Sequence, residues 1–158
     1  MIFIEDTRNK IDKHRTKRQC FENLGHKVVR TKLFVGDYSL LSNQSVCIDT
    51  KQDWLEVANN ICGKNHERFK NECIKARDCD IRLVVLVEEE TPVEQWKSPL
   101  KRNKKPCTQV KGETLAKAIK TMEERYGVRF VNCSKAESPE KILELLGVWY
   151  ERNTKISM

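Results

Sequence analysis

The sequence contains no apolar run long enough to cross a membrane, for which about 18–20 residues are needed. Its first ten residues, MIFIEDTRNK, become charged after four and so lack the apolar centre of a secretory signal peptide. We therefore expect no membrane partner and a cytoplasmic location.

Closely spaced cysteine pairs of the CxxC type are also missing, although the chain has seven cysteines. An odd number of cysteines cannot all pair within one chain, and zinc clusters usually contain such pairs. The pattern favours reduced thiols in a reducing compartment over a disulfide framework or a zinc cluster.

Acidic residues are absent from residues 97–111, where six positive charges fall. Because the formal net charge is +7, the rest of the chain is nearly balanced. Positive charge concentrated in this way indicates a polyanion as partner, although a loop that is merely solvated is the alternative. The six cations of this segment, called the basic loop below, are Lys97, Lys101, Arg102, Lys104, Lys105 and Lys111.

The length and the pattern of the chain predict one domain, residues 1–158, with a single core. Short β-prone runs alternate with amphipathic stretches, which predicts an α/β fold with helices packed on a mixed sheet. The most apolar run, IRLVVLVE, predicts a strand covered on both faces, and the three glutamates at 88–90 are interpreted as its solvated exit. Helices are predicted at residues 10–24, from Trp54, from Phe69, from Leu115, and at residues 138–153, with Ser138 as N-cap and Pro139 at N1.

Two β-prone runs, VGDYSLL and SVCIDTK, are predicted to pair as a hairpin. Asp37 then lies at the start of one strand and Asp49 near the end of the next, so that the two carboxylates meet. Because side chains alternate along a strand, Asp49 and Lys51 project to the same face while Thr50 points away. The hairpin therefore brings two carboxylates and an ammonium to one cleft.

Such a pair of carboxylates, completed by water, is typical of a magnesium site that leaves positions open for a substrate phosphate. Phosphodiester hydrolysis needs an ion of this kind, and also a cation that orients the nucleophile and stabilises the developing charge. Lys51 is suited to the second task. The alternative is that Asp37 is a turn residue and that Asp49 and Lys51 are ordinary solvent-facing strand residues.

The arrangement of GDY at residues 36–38 and DTK at residues 49–51 resembles the PD-(D/E)xK nucleases, which have the restriction-endonuclease-like fold. More narrowly, it resembles the nuclease domain of the XPF-type structure-specific endonucleases, whose signature is GD, a spacer and ERK. The family's opening D-x-R-E is matched by DTR at residues 6–8, with Asn9 in place of the acid. The likeness covers residues 2–90, and the remainder resembles small stand-alone phage or prophage members.

The resemblance implies metal-dependent cleavage of DNA with Mg²⁺ or Mn²⁺, often near branch points or flaps, in repair or recombination. Asp37 and Asp49 would hold the ion together with the backbone carbonyl of Thr50. Lys51 would position or activate the attacking water. Asp6 would complete the acidic cluster, as a further ligand or through a bound water, although a structural role at the end of its strand is the alternative.

Two departures from the family pattern matter. The aspartate that the family has four residues after the lysine falls here on Leu55, and Asp53 lies two residues early and is left outside the site. The eukaryotic relatives also carry a tandem helix-hairpin-helix module, for which the 158 residues leave no room, so the DNA contacts are expected to come from elsewhere.

Cations near the hairpin and in the basic loop are the expected DNA contacts. Arg8 is expected to bind a phosphate, with pairing to Asp6 or Asp37 as the alternative. Arg68, Lys70 and Lys75 fall on or near a helix that flanks the site and are expected to contact the DNA backbone.

Two other functions stay open on the sequence alone. One is a junction-resolving enzyme that acts as a homodimer, for which the apolar face around Leu146 and Trp149 is available if the core does not use it. The other is a DNA-binding protein without activity, which the replacement of glutamate by Asp49 and of the acid by Asn9 favours. A partner protein that supplies targeting is compatible with each of them.

Overall fold

The computed structural model describes residues 1–105 and 107–148. Within these residues it contains six strands, five α-helices and a short 3-10 turn at Val93–Gln95. The strands are β1 (Ile2–Asp6), β2 (Lys27–Thr31), β3 (Tyr38–Leu40), β4 (Val46–Lys51), β5 (Arg82–Val87) and β6 (Arg129–Asn132). The helices are α1 (Arg15–Asn23), α2 (Trp54–Cys62), α3 (His66–Asp78), α4 (Gly112–Tyr126) and α5 (Ser138–Leu145).

The strands form one mixed sheet in the order β2-β1-β3-β4-β5-β6. Strand β3 is antiparallel to β1 and to β4, and the other neighbours are parallel. The predicted hairpin is therefore confirmed, with Tyr38 of β3 opposite Ile48 of β4. The α/β class with helices on a mixed sheet is confirmed as well.

Helices cover both faces of the sheet. Leu83, Val85 and Val87 of β5 pack under α2, α3 and α4, whereas Val84 and Leu86 pack under α1 and α5. These five side chains are at most 3% exposed, and burying each contributes about 1.5–3 kcal/mol. The strand covered on both faces is thus where the sequence predicts it.

The sequence pattern predicts that helix α1 begins at residue 10, but it begins at Arg15. The preceding residues form turns, in which the amide of Asn9 donates to the carbonyl of Asp6 (3.4 Å) and that of Lys13 to the carbonyl of Lys10 (3.0 Å). The Asn9 side chain is also held by Asp37. This tertiary contact fixes the segment in a non-helical path.

Helix α5 is shorter than the predicted span of 138–153. It ends at Leu145, and Gly147 follows with a φ of 73°, which breaks the helical path. The N-cap is Glu137, one residue before the predicted Ser138. Residues 149–153 of the predicted helix, including Trp149, lie outside the described residues.

None of the seven cysteines is joined to another in a disulfide, and reduced thiols stay a prediction from the sequence. Within residues 1–105 and 107–148, no helix is long and apolar enough to span a membrane.

Candidate active site

The catalytic and metal-binding residues that the sequence predicts lie at one edge of the sheet. Strands β1, β4 and β5 run in the same direction, so their carboxyl ends meet there, next to the start of β3. A cleft of about 510 Å³ opens at this edge between the hairpin and α3. Its lining includes all of the predicted catalytic and metal residues, namely Asp6, Asp37, Asp49, Thr50 and Lys51.

Asp37 is held in place by three hydrogen bonds to its carboxylate. Its Oδ2 accepts from the amide (2.9 Å) and the hydroxyl (2.6 Å) of Thr50, and its Oδ1 accepts from Asn9 Nδ2 (2.6 Å). The Asp37 amide also donates to the carbonyl of Ile48 (2.7 Å) across the hairpin. Thr50 points away from Asp49 and Lys51, as strand alternation predicts, and this orientation brings its hydroxyl to Asp37.

Asp49 and Lys51 form a buried ion pair, with Lys51 Nζ 3.0 Å from Asp49 Oδ2. At this distance the ammonium can donate to Oδ2, and apart from this contact Asp49 Oδ2 accepts no hydrogen bond from any described residue. Burial raises the pKa of Asp49 well above its ordinary value, and the charges of Asp37 and Glu72 raise it further, against the lowering effect of Lys51. Burial is the largest single effect on the pKa of Lys51 and lowers it, but the charge of Asp49, the hydrogen bond to Asp49 and the charges of Glu56 and Asp37 together outweigh burial and leave that pKa raised.

Asp6 is almost fully buried and accepts four hydrogen bonds. Arg8 donates to it from its amide (2.8 Å), from Nε (2.7 Å) and from Nη2 (3.0 Å), and the amide of Leu33 donates the fourth (2.6 Å). Burial raises the pKa of Asp6, but these hydrogen bonds outweigh it and hold the pKa below its ordinary value. Of the two alternatives for Arg8, the structure favours the pairing with Asp6.

The predicted DNA contacts divide into two groups. Arg8, Arg68 and Lys75 line the cleft, together with Lys13. Within the described part of the chain, no cation of the basic loop lines the cleft, and Lys97 lines another cavity, beside Asp53 and Glu89. The basic loop leaves the same edge of the sheet, beyond the buried Trp96, because it follows the carboxyl end of β5.

The interpretation of residues 88–90 as a solvated exit is wrong for Glu88. Its side chain is 7% exposed and pairs at 3.0 Å with Lys17 of α1, which is itself buried. The contact spans 71 residues, so no local pattern reveals it. Asp53, left outside the predicted site, is the N-cap of α2, where it accepts from the amide of Glu56 (2.8 Å).

Among the cleft residues that the sequence prediction does not single out are Glu72 and Phe34. Glu72 of α3 accepts from the amide of Gly36 (3.0 Å) and thereby ties the helix to the start of the hairpin. Its position three residues after Phe69, on the buried side of an amphipathic helix, is the only sequence signal for it. Phe34 also lines the cleft, with 47% of its surface exposed.

The donor set fits a small divalent cation. Among the described residues, no three carboxylates, imidazoles or thiols are grouped as a metal site. Mg²⁺ needs fewer protein ligands, since it usually takes one or two carboxylates and keeps several waters. Asp49 Oδ2, which among the described residues is contacted only by the Lys51 ammonium, has lone pairs left for such an ion, and Asp37 Oδ1 accepts only one hydrogen bond.

Two solved structures resemble this fold. XPF from Aeropyrum pernix matches with a TM-score of 0.66 at 18% identity, over 96% of this chain and 66% of that chain. The same protein in complex with DNA matches with a TM-score of 0.62 at 18% identity, over 92% of this chain and 62% of that one. The chain thus spans slightly less than two thirds of the XPF chains, and it has their restriction-endonuclease-like fold.

The family follows from the sequence itself. The ERCC4 domain matches residues 5–146, which is most of the chain, and the chain therefore belongs to the ERCC4 domain family. This result confirms the resemblance to the XPF-type nuclease domain, while the likeness to phage members stays a prediction. No match is found among curated protein sequences.

Proposed function

We propose that this chain is a metal-dependent DNA endonuclease that hydrolyses phosphodiester bonds and selects its substrate by DNA structure. The observation that carries the proposal is the convergence of Asp37, Asp49 and Lys51 in one cleft at the edge of the sheet. Membership of the ERCC4 domain family supports it. Cytoplasmic action is part of the same proposal and rests on the sequence.

The cofactor in this proposal is Mg²⁺ or Mn²⁺, held by Asp37, Asp49 and the carbonyl of Thr50. When bound, such an ion offsets the charge of the phosphate and lowers the pKa of a bound water. The chain's own residues do the rest. Thr50 and Asn9 orient Asp37 through the three hydrogen bonds to its carboxylate.

Lys51 contributes positive charge where the transition state gains negative charge. Its ion pair with Asp49 holds the ammonium at the cleft, and its pKa is raised, so it stays protonated at neutral pH. Asp6 does not bind the ion directly in this proposal, because its carboxylate accepts hydrogen bonds from Arg8 and Leu33. It positions Arg8, half of whose side chain stays exposed and can contact a phosphate while the pairing with Asp6 is kept.

DNA is the proposed partner. Arg8, Arg68 and Lys75 line the cleft and are available to the phosphates beside the cut, while the basic loop binds the backbone farther away. The complex of the similar XPF protein with DNA supports this assignment. A homodimer and a targeting protein remain predictions from the sequence.

The experiment is a cleavage panel of single-stranded, duplex, flap and four-way-junction DNA with Mg²⁺, Mn²⁺ or Ca²⁺. The wild type is expected to cut at least one substrate with Mg²⁺ or Mn²⁺. Asp37→Asn and Asp49→Asn keep the shape of the side chain but weaken the hold on the ion, so cleavage should be lost while metal-free DNA binding stays equal or becomes tighter. Asp78→Asn, at an exposed ion pair on α3, is the matched control and should cut normally.

A DNA-binding protein without activity is the second candidate. Asn9 lies where the family has an acid, and its amide occupies an oxygen of Asp37 that an ion would otherwise approach freely. In that case no metal supports cleavage, and DNA affinity responds neither to Ca²⁺ nor to Asp49→Asn. That result would exclude the nuclease proposal.

A further inference from the structure

Phe34 is an exposed aromatic residue in the proposed cleft. Its neighbours Leu33 and Val35 are 2% and 1% exposed, whereas Phe34 itself is 47% exposed. The segment bends at Phe34, and with both neighbours buried the ring of Phe34 is the side chain left facing the solvent. The ring therefore lines the cleft three residues before Asp37.

The segment that carries Phe34 is fixed on both sides of the ring. On one side, the amide of Leu33 donates to Asp6 (2.6 Å) and its carbonyl accepts from Arg8 (3.3 Å). On the other side, the amide of Gly36 donates to Glu72 (3.0 Å). These hydrogen bonds fix the backbone on both sides of Phe34. Less conformational entropy is therefore lost when a ligand stacks on the ring.

A cation accompanies the ring. Lys75 Nζ of α3 lies 3.8 Å from the centroid of Phe34, within the range of a cation–π contact. Lys75 itself lines the cleft. The ring and the ammonium together match the two parts of one nucleotide, an aromatic base and a phosphate.

We propose that Phe34 is a stacking site for an unpaired base of the DNA strand that is cut, with Lys75 bound to the phosphate of that nucleotide. This inference rests on the proposed function and names the feature of the substrate that the cleft selects. A base inside a duplex has both faces covered by its neighbours, so only an unpaired or unstacked base offers a face to the ring. Structure selectivity then originates in the nuclease domain, within three residues of Asp37.

The test is a binding cycle that needs no cleavage. A series of flap DNAs is made, each with one abasic site at a different position of the unpaired strand near the junction. The affinity of the protein for each DNA is measured with Ca²⁺ in place of Mg²⁺. At one or two positions, loss of the base should weaken wild-type binding about 5- to 150-fold, the range that corresponds to stacking of about 1–3 kcal/mol. In Phe34→Leu, which keeps an apolar side chain but removes the aromatic face, the same abasic site should change affinity less than twofold.

Three further variants make the cycle specific. Phe34→Tyr keeps the ring and should restore the wild-type response to the abasic site. Lys75→Gln should weaken binding of all substrates but leave the response to the missing base. Leu41→Ala removes another exposed apolar side chain, 50% exposed and outside the residues that line the cleft, and should behave as wild type.

The outcomes separate this inference from the proposed function. If no abasic position has an effect that depends on Phe34, the stacking site is excluded, even when the wild type cuts flap DNA with Mg²⁺. A second outcome is possible. If the wild type cuts no substrate, and the effect of the missing base still depends on Phe34 in the binding measurement, the stacking site stands and the nuclease proposal fails. Circular dichroism of Phe34→Leu checks that its fold is intact, and failure of Phe34→Tyr to restore the coupling would also overturn the inference.

Discussion

Lys51 has a buried ammonium that is enclosed by two specific neighbours. It lies between a carboxylate at 3.0 Å and the ring of Phe69, whose centroid is 5.8 Å from Nζ. Burial of an ammonium is unfavourable unless a partner compensates it, and Asp49 does so. A lysine required only for solubility would have neither neighbour.

Replacing Lys51 with methionine should lower the cleavage rate about 10²- to 10³-fold, because a single electrostatic stabiliser contributes about that much to the chemical step. Single-turnover kinetics with saturating DNA measure this rate. Lys120→Met, at an exposed position on α4 outside the cleft, is the control and should cut normally. Normal cleavage by a folded Lys51→Met protein would remove the cation from the proposed mechanism.

His14 gives a pH dependence that the structure predicts with a definite sign. It is 2% exposed, packs edge-on against Tyr38, and neither ring nitrogen has a hydrogen-bond partner among the described residues. Burial lowers the pKa of His14, so below about pH 6.5 the unfolded chain binds more protons than the folded chain. The stability that neutral His14 contributes is present above that pH and is lost as the pH falls towards the lowered pKa.

We expect the free energy of unfolding of wild type to fall, relative to His14→Phe, as the pH is lowered from 7.5 to 5, by up to about 1.4 kcal/mol per pH unit. Phenylalanine keeps the packing against Tyr38 and does not titrate. Urea unfolding with EDTA at several pH values measures the difference, in which the titration of Asp49 cancels. A difference independent of pH would show that His14 is protonated equally in both states.

The residues of the site were predictable to different degrees. Asp37, Asp49 and Lys51 follow from the alternation of a hairpin, which is a local rule. Glu72 is 36 residues from the amide of Gly36 that it binds, and no local rule reaches that far. The occupation of Asp6 by Arg8 depends on the path of the turn after β1, which the sequence pattern does not specify.

At the scale of elements, the hairpin, α2, α3, β5 and α4 agree with the sequence because each carries a strong periodic pattern of apolar residues. The ends of α1 and α5 do not agree. Tertiary contacts of Asn9 set the first end, and the left-handed conformation of Gly147 sets the second. Boundaries of this kind depend on neighbours that are distant in sequence.

The basic loop is the element with the clearest test. Replacing Lys101, Arg102, Lys104 and Lys105 with glutamine should flatten the slope of log affinity against log salt by about 3.6, if each cation contacts one duplex phosphate. The cleavage rate at saturating DNA should stay the same, since no described cation of the loop lines the cleft. Filter binding at several salt concentrations measures the slope, and an unchanged slope would make the loop a solvated connection.

For the whole molecule, the sheet joins two cores that touch opposite faces. The α/β class was predictable from the alternation of elements, but the order of the strands was not, because it depends on which runs pair across long loops. Strand β1 lies beside β2 on one side and β3 on the other. Nothing in its five residues encodes that choice.

Two buried thiols report whether the cores open together. Cys73 lies in the core under α2, α3 and α4, and Cys133 in the core under α1 and α5. Burial raises the pKa of Cys73 to about 12 and that of Cys133 to about 11, so both react only when the structure opens. We expect equal labelling rates for the two by iodoacetamide and mass spectrometry, with the exposed Cys62, Cys79 and Cys107 labelled much faster. Unequal rates would mean that one layer opens alone.

In the GD pair at residues 36 and 37, the glycine is required by the backbone conformation, whereas the aspartate is required by the proposed chemistry. Its φ is +75°, and a Cβ there would lie 3.0 Å from the carbonyl oxygen of Ile48 and 3.3 Å from the Cβ of Cys47. The glycine is thus required by the shape of the hairpin, whether or not any reaction takes place. If the proposed function holds, relatives that lose activity but keep the fold should retain Gly36 while Asp37, Asp49 and Lys51 vary. Gly36 would then mark the shared fold, and retention of the three charged residues would mark selection for cleavage.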